Sequence, residues 1–192
     1  MEFSIIIPSH NNYKYCKLTI DSIKKNSSFN HEIIVHLNGE DNETENYLIN
    51  ESIIHSKSFE NIGLCSGVNT AYKLSSKSYI LYSHDDMYFL PNWDDALVEE
   101  MTSMNSNKFY LSMTQLAPMG PVKGSIQHIQ FDCGSSYENF NENKLLKNFN
   151  TFNFQDLQGS HWAPHLVPRD LWDKVGGFSE EFNPGFASDP DL

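Results

Sequence analysis

Short apolar runs alternate with amphipathic segments along this chain, and this alternation constrains its fold most strongly. Residues 3–7, 31–37 and 79–82 predict buried strands, and residues 52–55 and 109–113 predict shorter ones. Residues 15–25, 43–50 and 64–74 have helical patterns, as does the segment 169–175 before Gly176. The pattern predicts an α/β fold, a Rossmann-like, mostly parallel sheet flanked by helices, in a single domain over residues 1–192.

Charge and cysteine content exclude several classes of protein. The formal charge is −12, with 25 acidic and 13 basic residues, which argues against nucleic acid or an anionic membrane surface as the main partner. Cys16, Cys65 and Cys133 are far apart, which disfavours disulfides or a zinc site and favours a cytoplasmic location. No stretch approaches the roughly 18 apolar residues of a membrane span, so no integral membrane segment is expected.

Three polar loops follow predicted strands, at residues 8–12, 38–42 and 83–86. Pro8 is predicted to end the first strand, and the Asn-rich residues 139–153 are predicted to form a mobile excursion. Because ligands of parallel sheets bind beyond the carboxyl ends of the strands, the three loops predict a binding crevice.

Two adjacent carboxylates, Asp85 and Asp86, lie in the third of these loops. Mg²⁺ and Mn²⁺ commonly take one or two carboxylates together with substrate phosphates. A cation would relieve the repulsion between Asp85 and Asp86, and a diphosphate would complete its coordination. A solvated acidic turn after the strand is the alternative, and the pair alone leaves it open.

Four segments in order resemble family-2 glycosyltransferases, which have the GT-A fold. SIIIPSHNN resembles their first strand and donor loop, and HEIIVHLNGEDNETENYL their second strand and its loop. ENIGLCSGVNTAYKLSSKSYILYSHDDMYFLPNWDDAL resembles the stretch that ends in a DXD-like metal motif, and LWDKVGGFSEEFNPGFASDPDL resembles the segment before the acidic base. The resemblance implies a donor-binding half at about residues 1–100 and an acceptor-side half at about 101–192. The family continues with at least one more helix after this point, so a C-terminally truncated acceptor side is expected.

The resemblance implies an enzyme that moves a sugar from a nucleotide-diphosphate donor, with a UDP-sugar favoured, to a hydroxyl of a glycan, lipid-linked or protein acceptor, with inversion. It implies Mn²⁺ or Mg²⁺ as a Lewis acid, held by Asp85 and Asp86. It also implies that Asp189 takes the acceptor proton, with Asp191 as the alternative. Asp189 could equally cap a helix that has Pro190 at its first position.

The resemblance also implies which residues surround the donor and the acceptor. The expected nucleotide and diphosphate contacts are Pro8, Ser9, His10, Asn38, Asp41, Asn61 and Gly63. Plain structural roles remain open for them, such as a strand end at Pro8 and a turn at residues 61–63. On the acceptor side, Trp162 would stack on a sugar or lie in the core, and His161 would join the acceptor pocket or, with His165 as the alternative, the metal shell. The two histidines could also lie on the surface.

Two positions depart from the family pattern. Leu37 stands where the family has an Asp that accepts a hydrogen bond from a uracil-type base, so either Asp41 substitutes or the base is held differently. Ser83 stands at the first Asp of the metal motif, followed by His84, which could itself bind Mn²⁺. Water can replace a ligand on Mg²⁺, so the departure at Ser83 does not exclude a metal.

Two rival functions fit parts of the sequence. A nucleotidyltransferase of similar sheet usually has a Gly-rich basic loop after the first strand, and residues 8–12 contain neither Gly nor a basic residue. A non-catalytic nucleotide-sugar binding or assembly module would explain Leu37 and Ser83 but not the retained Asp85, Asp86 and Asp189.

Overall fold

The computed structural model describes residues 1–119, 128–153 and 162–185. The strands are β1 Ser4–Ser9, β2 Glu32–Asn38, β3 Ile54–Ser58, β4 Tyr79–Tyr82, β5 Leu111–Ser112, β6 Gln115–Ala117, β7 His128–Gln130 and β8 His165–Pro168. The α-helices are α1 Tyr13–Asn26, α2 Asn42–Asn50, α3 Leu64–Tyr72, α4 Trp93–Ser103, α5 Glu142–Asn148 and α6 Arg169–Val175. None of these helices is long and apolar enough to cross a membrane.

Six strands form the central sheet, in the order β3-β2-β1-β4-β8-β5. β1 to β4 are mutually parallel, whereas β8 runs antiparallel to both β4 and β5. β6 and β7 form a separate parallel pair. The predicted α/β architecture with a mostly parallel, helix-flanked sheet is therefore confirmed.

Both faces of the sheet are covered, which explains why its strands are continuous apolar runs. Side chains alternate along a strand, so Ile5 and Ile7 pack on one face and Ile6 on the other. The first face is covered by α1, α2 and α4, and the second by α3 and α6. The polar loops at the strand ends are left as the accessible part of the sheet.

The prediction that Pro8 ends the first strand is wrong, because β1 continues through Pro8 to Ser9 alongside β2. Ser83 N donates to the carbonyl of Ile6 at 3.0 Å, so the even-numbered residues of β1 turn their backbone groups toward β4. β4 stops at Tyr82, opposite Ile6. Pro8, which has no N–H, therefore faces the side where no ladder partner continues, and the strand tolerates it.

The Asn-rich segment does not form the predicted excursion, because its described residues include α5, which is joined to α1 by an ion pair between Lys25 and Glu142. Glu142 accepts hydrogen bonds from Lys25 Nζ at 2.8 Å and Tyr88 Oη at 2.5 Å, and Leu145 is buried. The Asn141 side chain caps α5 by accepting from Lys144 N at 2.9 Å. Polar side chains thus fix a segment whose composition is that of a loop.

Arg169, directly after β8, forms hydrogen bonds with the residues that directly precede β4. Its backbone N–H donates to the Ser78 carbonyl at 2.9 Å, and its guanidinium donates to Lys77 O at 2.7 Å and Ser75 Oγ at 2.8 Å. The helix that follows, α6, ends at Gly176 in the left-handed conformation with φ +87°, as the sequence predicts. β8 is thereby held as the outer neighbour of β4.

Candidate functional site

The strand order reverses between β1 and β4. The chain moves outward from β1 through β2 to β3, then crosses back to place β4 on the other side of β1. In sheets of this kind, ligands bind at such a switch point, beyond the carboxyl ends of the strands. Residues 9–12 and 83–86 occupy this position, so the topology brings the first and third predicted loops together.

Asp85 lies half-buried in this crevice and joins its two sides. Ser9 Oγ donates to Asp85 Oδ2 at 2.6 Å, and the Asn12 side chain also hydrogen-bonds the carboxylate. Burial raises the pKa of the Asp85 carboxyl, and the charge of Asp86 raises it further. Hydrogen bonds from Ser9 and Asn12 and the nearby His84 oppose this rise without cancelling it. A positive charge beside Asp85 would favour the ionised carboxylate and so lower this pKa.

Thr19 holds the turn that carries Asp85, a role that its place in the sequence does not indicate. Its buried hydroxyl lies 2.9 Å from the Asp85 carbonyl and 2.7 Å from the Met87 carbonyl, and it accepts from Met87 N at 3.0 Å. In the sequence Thr19 stands beside Ile20, on a helix face that also buries Ser22. Such a residue reads equally as an ordinary helix position, so its contact across 66 residues could not be predicted.

The other residues of the metal motif are arranged less favourably than Asp85. Asp86 is exposed, next to Asp85. The buried Ser83 hydroxyl donates to the His84 carbonyl at 3.0 Å, and the His84 ring packs against Tyr82 with centroids 5.5 Å apart. Within the part of the chain that the structure describes, no group of three or more His, Cys, Asp or Glu side chains could hold a metal.

The donor set nevertheless fits a hard divalent cation. Asp85 and Asp86 supply carboxylate oxygens, and Mg²⁺ retains several waters when one or two carboxylates and a substrate phosphate bind it. The raised pKa of Asp85 marks a carboxylate that lacks sufficient compensation from the protein itself. Among the described residues, Asp85 and Asp86 are therefore the pair that could hold Mn²⁺ or Mg²⁺.

The ends of β1 and β2 are joined by His10 and Asn38. His10 Nδ1 hydrogen-bonds the backbone carbonyl of Asn38. The Asn38 side chain in turn donates to Gly63 O at 3.0 Å and accepts from Ile62 N at 2.7 Å. Asn38 was predicted to contact the nucleotide, and the structure engages its amide in positioning the loop 61–63.

Leu37 is fully buried in the core, so it cannot contact a base at this edge. Asp41 caps α2, because its Oδ1 accepts from Thr44 N at 3.1 Å and its Oδ2 from Thr44 Oγ1 at 2.5 Å. Beside it lies an open cleft of about 370 Å³, lined by Asn11, Asn12, Tyr13, Lys14, Tyr15, Asp41 and Glu43. The loops after β1 and β2 thus border a space that could admit part of a ligand.

Asn61 and Gly63 form a turn at the start of α3. Asn61 Oδ1 accepts from Gly63 N at 2.9 Å, and Gly63 has φ +88°. A Cβ at Gly63 would lie 2.3 Å from Asn183 Oδ1, so both conformation and space require glycine. Asn183 Oδ1 also accepts from Cys65 N at 3.1 Å, while the Pro184 carbonyl accepts from Leu64 N at 3.0 Å. The first N–H groups of α3 are therefore capped by the segment that leads toward Asp189.

On the acceptor side, Trp162 is exposed to 47% and stacks on His128 with ring centroids 6.0 Å apart. His165 is fully buried, and its Nδ1 lies 2.6 Å from Tyr110 Oη in a hydrogen bond. The predicted alternative that His165 lies on the surface is therefore wrong. His161, Asp189 and Asp191 lie outside the described residues. Their predicted roles stay predictions.

Comparisons with known proteins agree with this architecture. Residues 4–159 match the family described as Glycosyl transferase family 2. A sequence search of curated proteins gives no match. The crystal structure of S. aureus TarS 1-349 superimposes with a TM-score of 0.70 at 17% identity, covering 99% of this chain and 53% of that one. The same TarS fragment in complex with UDP-GlcNAc gives 0.69 at 17% identity, covering 99% and 51%.

A more distant structure has the same fold. The mannosyltransferase PcManGT from Pyrobaculum calidifontis, in complex with GDP-Man and Mn²⁺, gives a TM-score of 0.63 at 13% identity, covering 98% of this chain and 49% of that one. The chain therefore spans about half the length of these structures. The match of the family profile over most of the chain and the structural similarity over nearly all of it lead to one conclusion: the chain belongs to glycosyl transferase family 2 and has the GT-A fold.

Proposed function

We propose that this chain is a metal-dependent glycosyltransferase that moves a sugar from a nucleotide-diphosphate donor to an acceptor hydroxyl, with inversion, in cytoplasmic glycan or polysaccharide synthesis. One observation carries the proposal. Ser9 and Asp85 meet at 2.6 Å across the switch point of the sheet, and a second carboxylate, Asp86, follows directly. A parallel sheet has its ligand crevice at this position.

The donor in this proposal lies along the carboxyl ends of β2, β1 and β4. The nucleoside contacts the loops that contain His10 and Asp41, and the diphosphate faces Asp85 and Asp86. TarS has been solved in complex with UDP and with UDP-GlcNAc, and the mannosyltransferase in complex with GDP-Man and Mn²⁺. These complexes support a nucleotide-sugar donor and a divalent cation for this chain. A UDP-sugar is our first candidate.

Asp85 and Asp86 would hold Mn²⁺ or Mg²⁺, which supplies Lewis-acid stabilisation of the charge on the leaving diphosphate. Ser9 and Asn12 orient the Asp85 carboxylate through their hydrogen bonds, and Thr19 fixes the backbone of its turn. These contacts keep the carboxylate in place before the donor arrives, so less ordering is needed when it binds.

The acceptor approaches from the side of β8. Tyr82 pairs with His165, so Trp162 precedes β8 beyond the carboxyl end of β4, on the side away from β1. An exposed indole there offers a flat apolar face to a sugar ring. Asp189 takes the proton of the attacking hydroxyl, with Asp191 as the alternative. This order of donor, carboxylates and acceptor suits in-line displacement, in which the two substrates meet from opposite sides.

The proposal is tested first by binding. Thermal unfolding is followed with UDP, GDP, CDP and dTDP, each with Mn²⁺, with Mg²⁺ and with EDTA. A nucleotide at about 100 times its Kd should stabilise the fold by roughly 2.7 kcal/mol, and only with metal. A folded sample that responds to no nucleotide would instead favour the non-catalytic module.

Turnover is tested separately, by release of the nucleoside diphosphate from a sugar donor in the presence of acceptor glycans. Asp189→Asn should abolish transfer and leave the nucleotide-induced stabilisation unchanged. If Asp189→Asn keeps full transfer activity, Asp189 is not the base, and the same assay is repeated with Asp191→Asn.

A further inference from the structure

The fold fixes which ring nitrogen of His10 carries a proton. Nδ1 contacts the backbone carbonyl of Asn38, and a carbonyl oxygen can only accept a hydrogen bond. Nδ1 is therefore the donor. In the neutral imidazole Nε2 is then an acceptor, and its neighbour is Asn11 Nδ2 at 3.4 Å, a long contact.

The side-chain acceptors of Asn38 and Asp41, at the end of β2, are already engaged. Asn38 Oδ1 accepts from Ile62 N at 2.7 Å. Both carboxylate oxygens of Asp41 accept from Thr44, and Leu37 offers no acceptor and is buried. His10, by contrast, is exposed at the carboxyl end of β1, next to the end of β2. Its Nε2 is thus an oriented acceptor where the proposed function has the nucleoside.

We propose that His10 determines the donor base: Nε2 accepts a hydrogen bond from the ring N–H of a uracil or guanine. These bases carry a proton on the ring nitrogen of their pairing edge, whereas cytosine carries a lone pair there, which would face the Nε2 lone pair. The inference rests on the proposed function, because it needs a nucleotide donor at this edge. It explains how the site reads a base although Leu37 offers no acceptor.

The test is a double-mutant cycle in which one change is made in the protein and the other in the ligand. Binding of UDP and N3-methyl-UDP, and of GDP and N1-methyl-GDP, is measured by calorimetry in Mn²⁺ for the wild type and for His10→Asn. Asn places its amide N–H near the position of Nδ1, so it can keep the bond to the Asn38 carbonyl, but it has no atom at the position of Nε2. A neutral hydrogen bond corresponds to a factor of about two to tenfold in Kd. Methylation should cost that factor in the wild type for the preferred base, and the cost should disappear in His10→Asn.

Two further variants sharpen the result. His10→Gln carries an amide oxygen about as far along the side chain as Nε2, so it should restore part of the preference for the unmethylated base. Asp41→Ser keeps an N-cap residue on α2 but removes the carboxylate. It should retain the methylation cost in full if His10 is the acceptor, and lose it if Asp41 is.

The outcomes distinguish a failure of the proposed role of His10 from a failure of the proposed function. Equal methylation costs in wild type and in a folded His10→Asn overturn the role of His10 while leaving nucleotide binding intact. A cost that disappears in Asp41→Ser assigns the base contact to Asp41. If the folded wild type binds no nucleotide, the proposed function fails, and the inference fails with it.

Discussion

Asp85, in the loop after β4, and Asp94, on α4, lie near opposite ends of the parallel strands and differ in how the protein compensates their charges. Asp94, at the amino edge, is fully buried and accepts from Ser28 N at 2.8 Å, Phe29 N at 2.9 Å and His31 Nε2 at 3.0 Å. Burial alone would raise the pKa of Asp94, but these hydrogen bonds outweigh it and lower the pKa. At Asp85, on the carboxyl edge, burial wins and the pKa is raised. Backbone donors make the first carboxylate structural, and their shortage leaves the second available for a ligand.

The comparison predicts opposite responses to removal of the two carboxylates. Asp94→Ala leaves the buried His31 ring and the N–H groups of Ser28 and Phe29 without their acceptor, so it should lower the free energy of unfolding by about 2–4 kcal/mol. Urea unfolding measures this loss. Asp95→Ala is the matched control, because Asp95 is exposed next to it on α4 and accepts only from the Ser28 hydroxyl among the described residues, so it should change stability by no more than about 1 kcal/mol. Equal stability of the two variants would break the comparison.

At the other edge, Asp85→Asn should affect binding instead of folding. An Asn side chain can still accept from Ser9, and it removes a charge that burial disfavours, so stability at pH 7 should be unchanged or higher. Metal-dependent nucleotide affinity should fall by about 10–100-fold, the loss expected when a metal site is disturbed. Titration calorimetry with Mn²⁺ measures it, and Asp86→Asn tells whether the exposed carboxylate contributes as much. A destabilised Asp85→Asn with normal affinity would assign Asp85 to the structural class.

The third and smallest prediction concerns the pH dependence of stability. Burial lowers the pKa of His31 and of His36. A histidine whose pKa is lower in the folded chain takes up a proton on unfolding, so its stabilisation is complete above the unfolded value near 6.5 and is lost as the pH falls below it. Each group contributes at most about 1.4 kcal/mol for each pH unit.

The change in the free energy of unfolding with pH is measured by urea unfolding between pH 7.5 and 5.5. His36 is the sharper probe, because its Nε2 is buried without a hydrogen-bond partner among the described residues, while Nδ1 bonds Ser56 Oγ at 2.8 Å. His36→Asn can keep the bond to Ser56 and should reduce the slope. A slope identical to that of the wild type would mean that other groups, among them the His31–Asp94 pair, carry the acid sensitivity.

Much of the fold could be predicted from the sequence, because burial on both faces imposes a visible pattern. The predicted strand at residues 79–82 has the observed bounds, and α6 with its glycine cap was predicted as found. The prediction failed where local chemistry is overruled by partners distant in sequence. Pro8 continues a strand because β4 stops opposite Ile6, and the Asn-rich segment folds because Lys25 and Tyr88 bind Glu142.

The residues of the candidate site likewise fall into those whose placement could be predicted from the sequence and those whose role could not. Loops at strand ends predicted where Ser9, His10 and Asp85 would gather, since the carboxyl ends of parallel strands share one edge. The roles of Thr19, Asn38 and Asn183 could not be predicted, because each acts through hydrogen bonds to backbone atoms whose positions only the folded chain defines. The run Trp93-Asp94-Asp95 is typical of an acidic first turn of a helix, and nothing in it indicates that Asp94 is buried.

The antiparallel insertion of β8 has a consequence for synthesis of the chain. The outer edge of β4 finds its partner only when residues 165–168 are available, and the Arg169–Lys77 contact joins residues 92 positions apart. At about 5–20 residues per second, a ribosome needs on the order of ten seconds to supply that partner. During this interval β4, an apolar strand at the centre of the future sheet, exposes unpaired backbone groups, and such an edge is a template for aggregation. Chaperone dependence of the nascent chain should therefore be greatest between the emergence of β4 and that of β8.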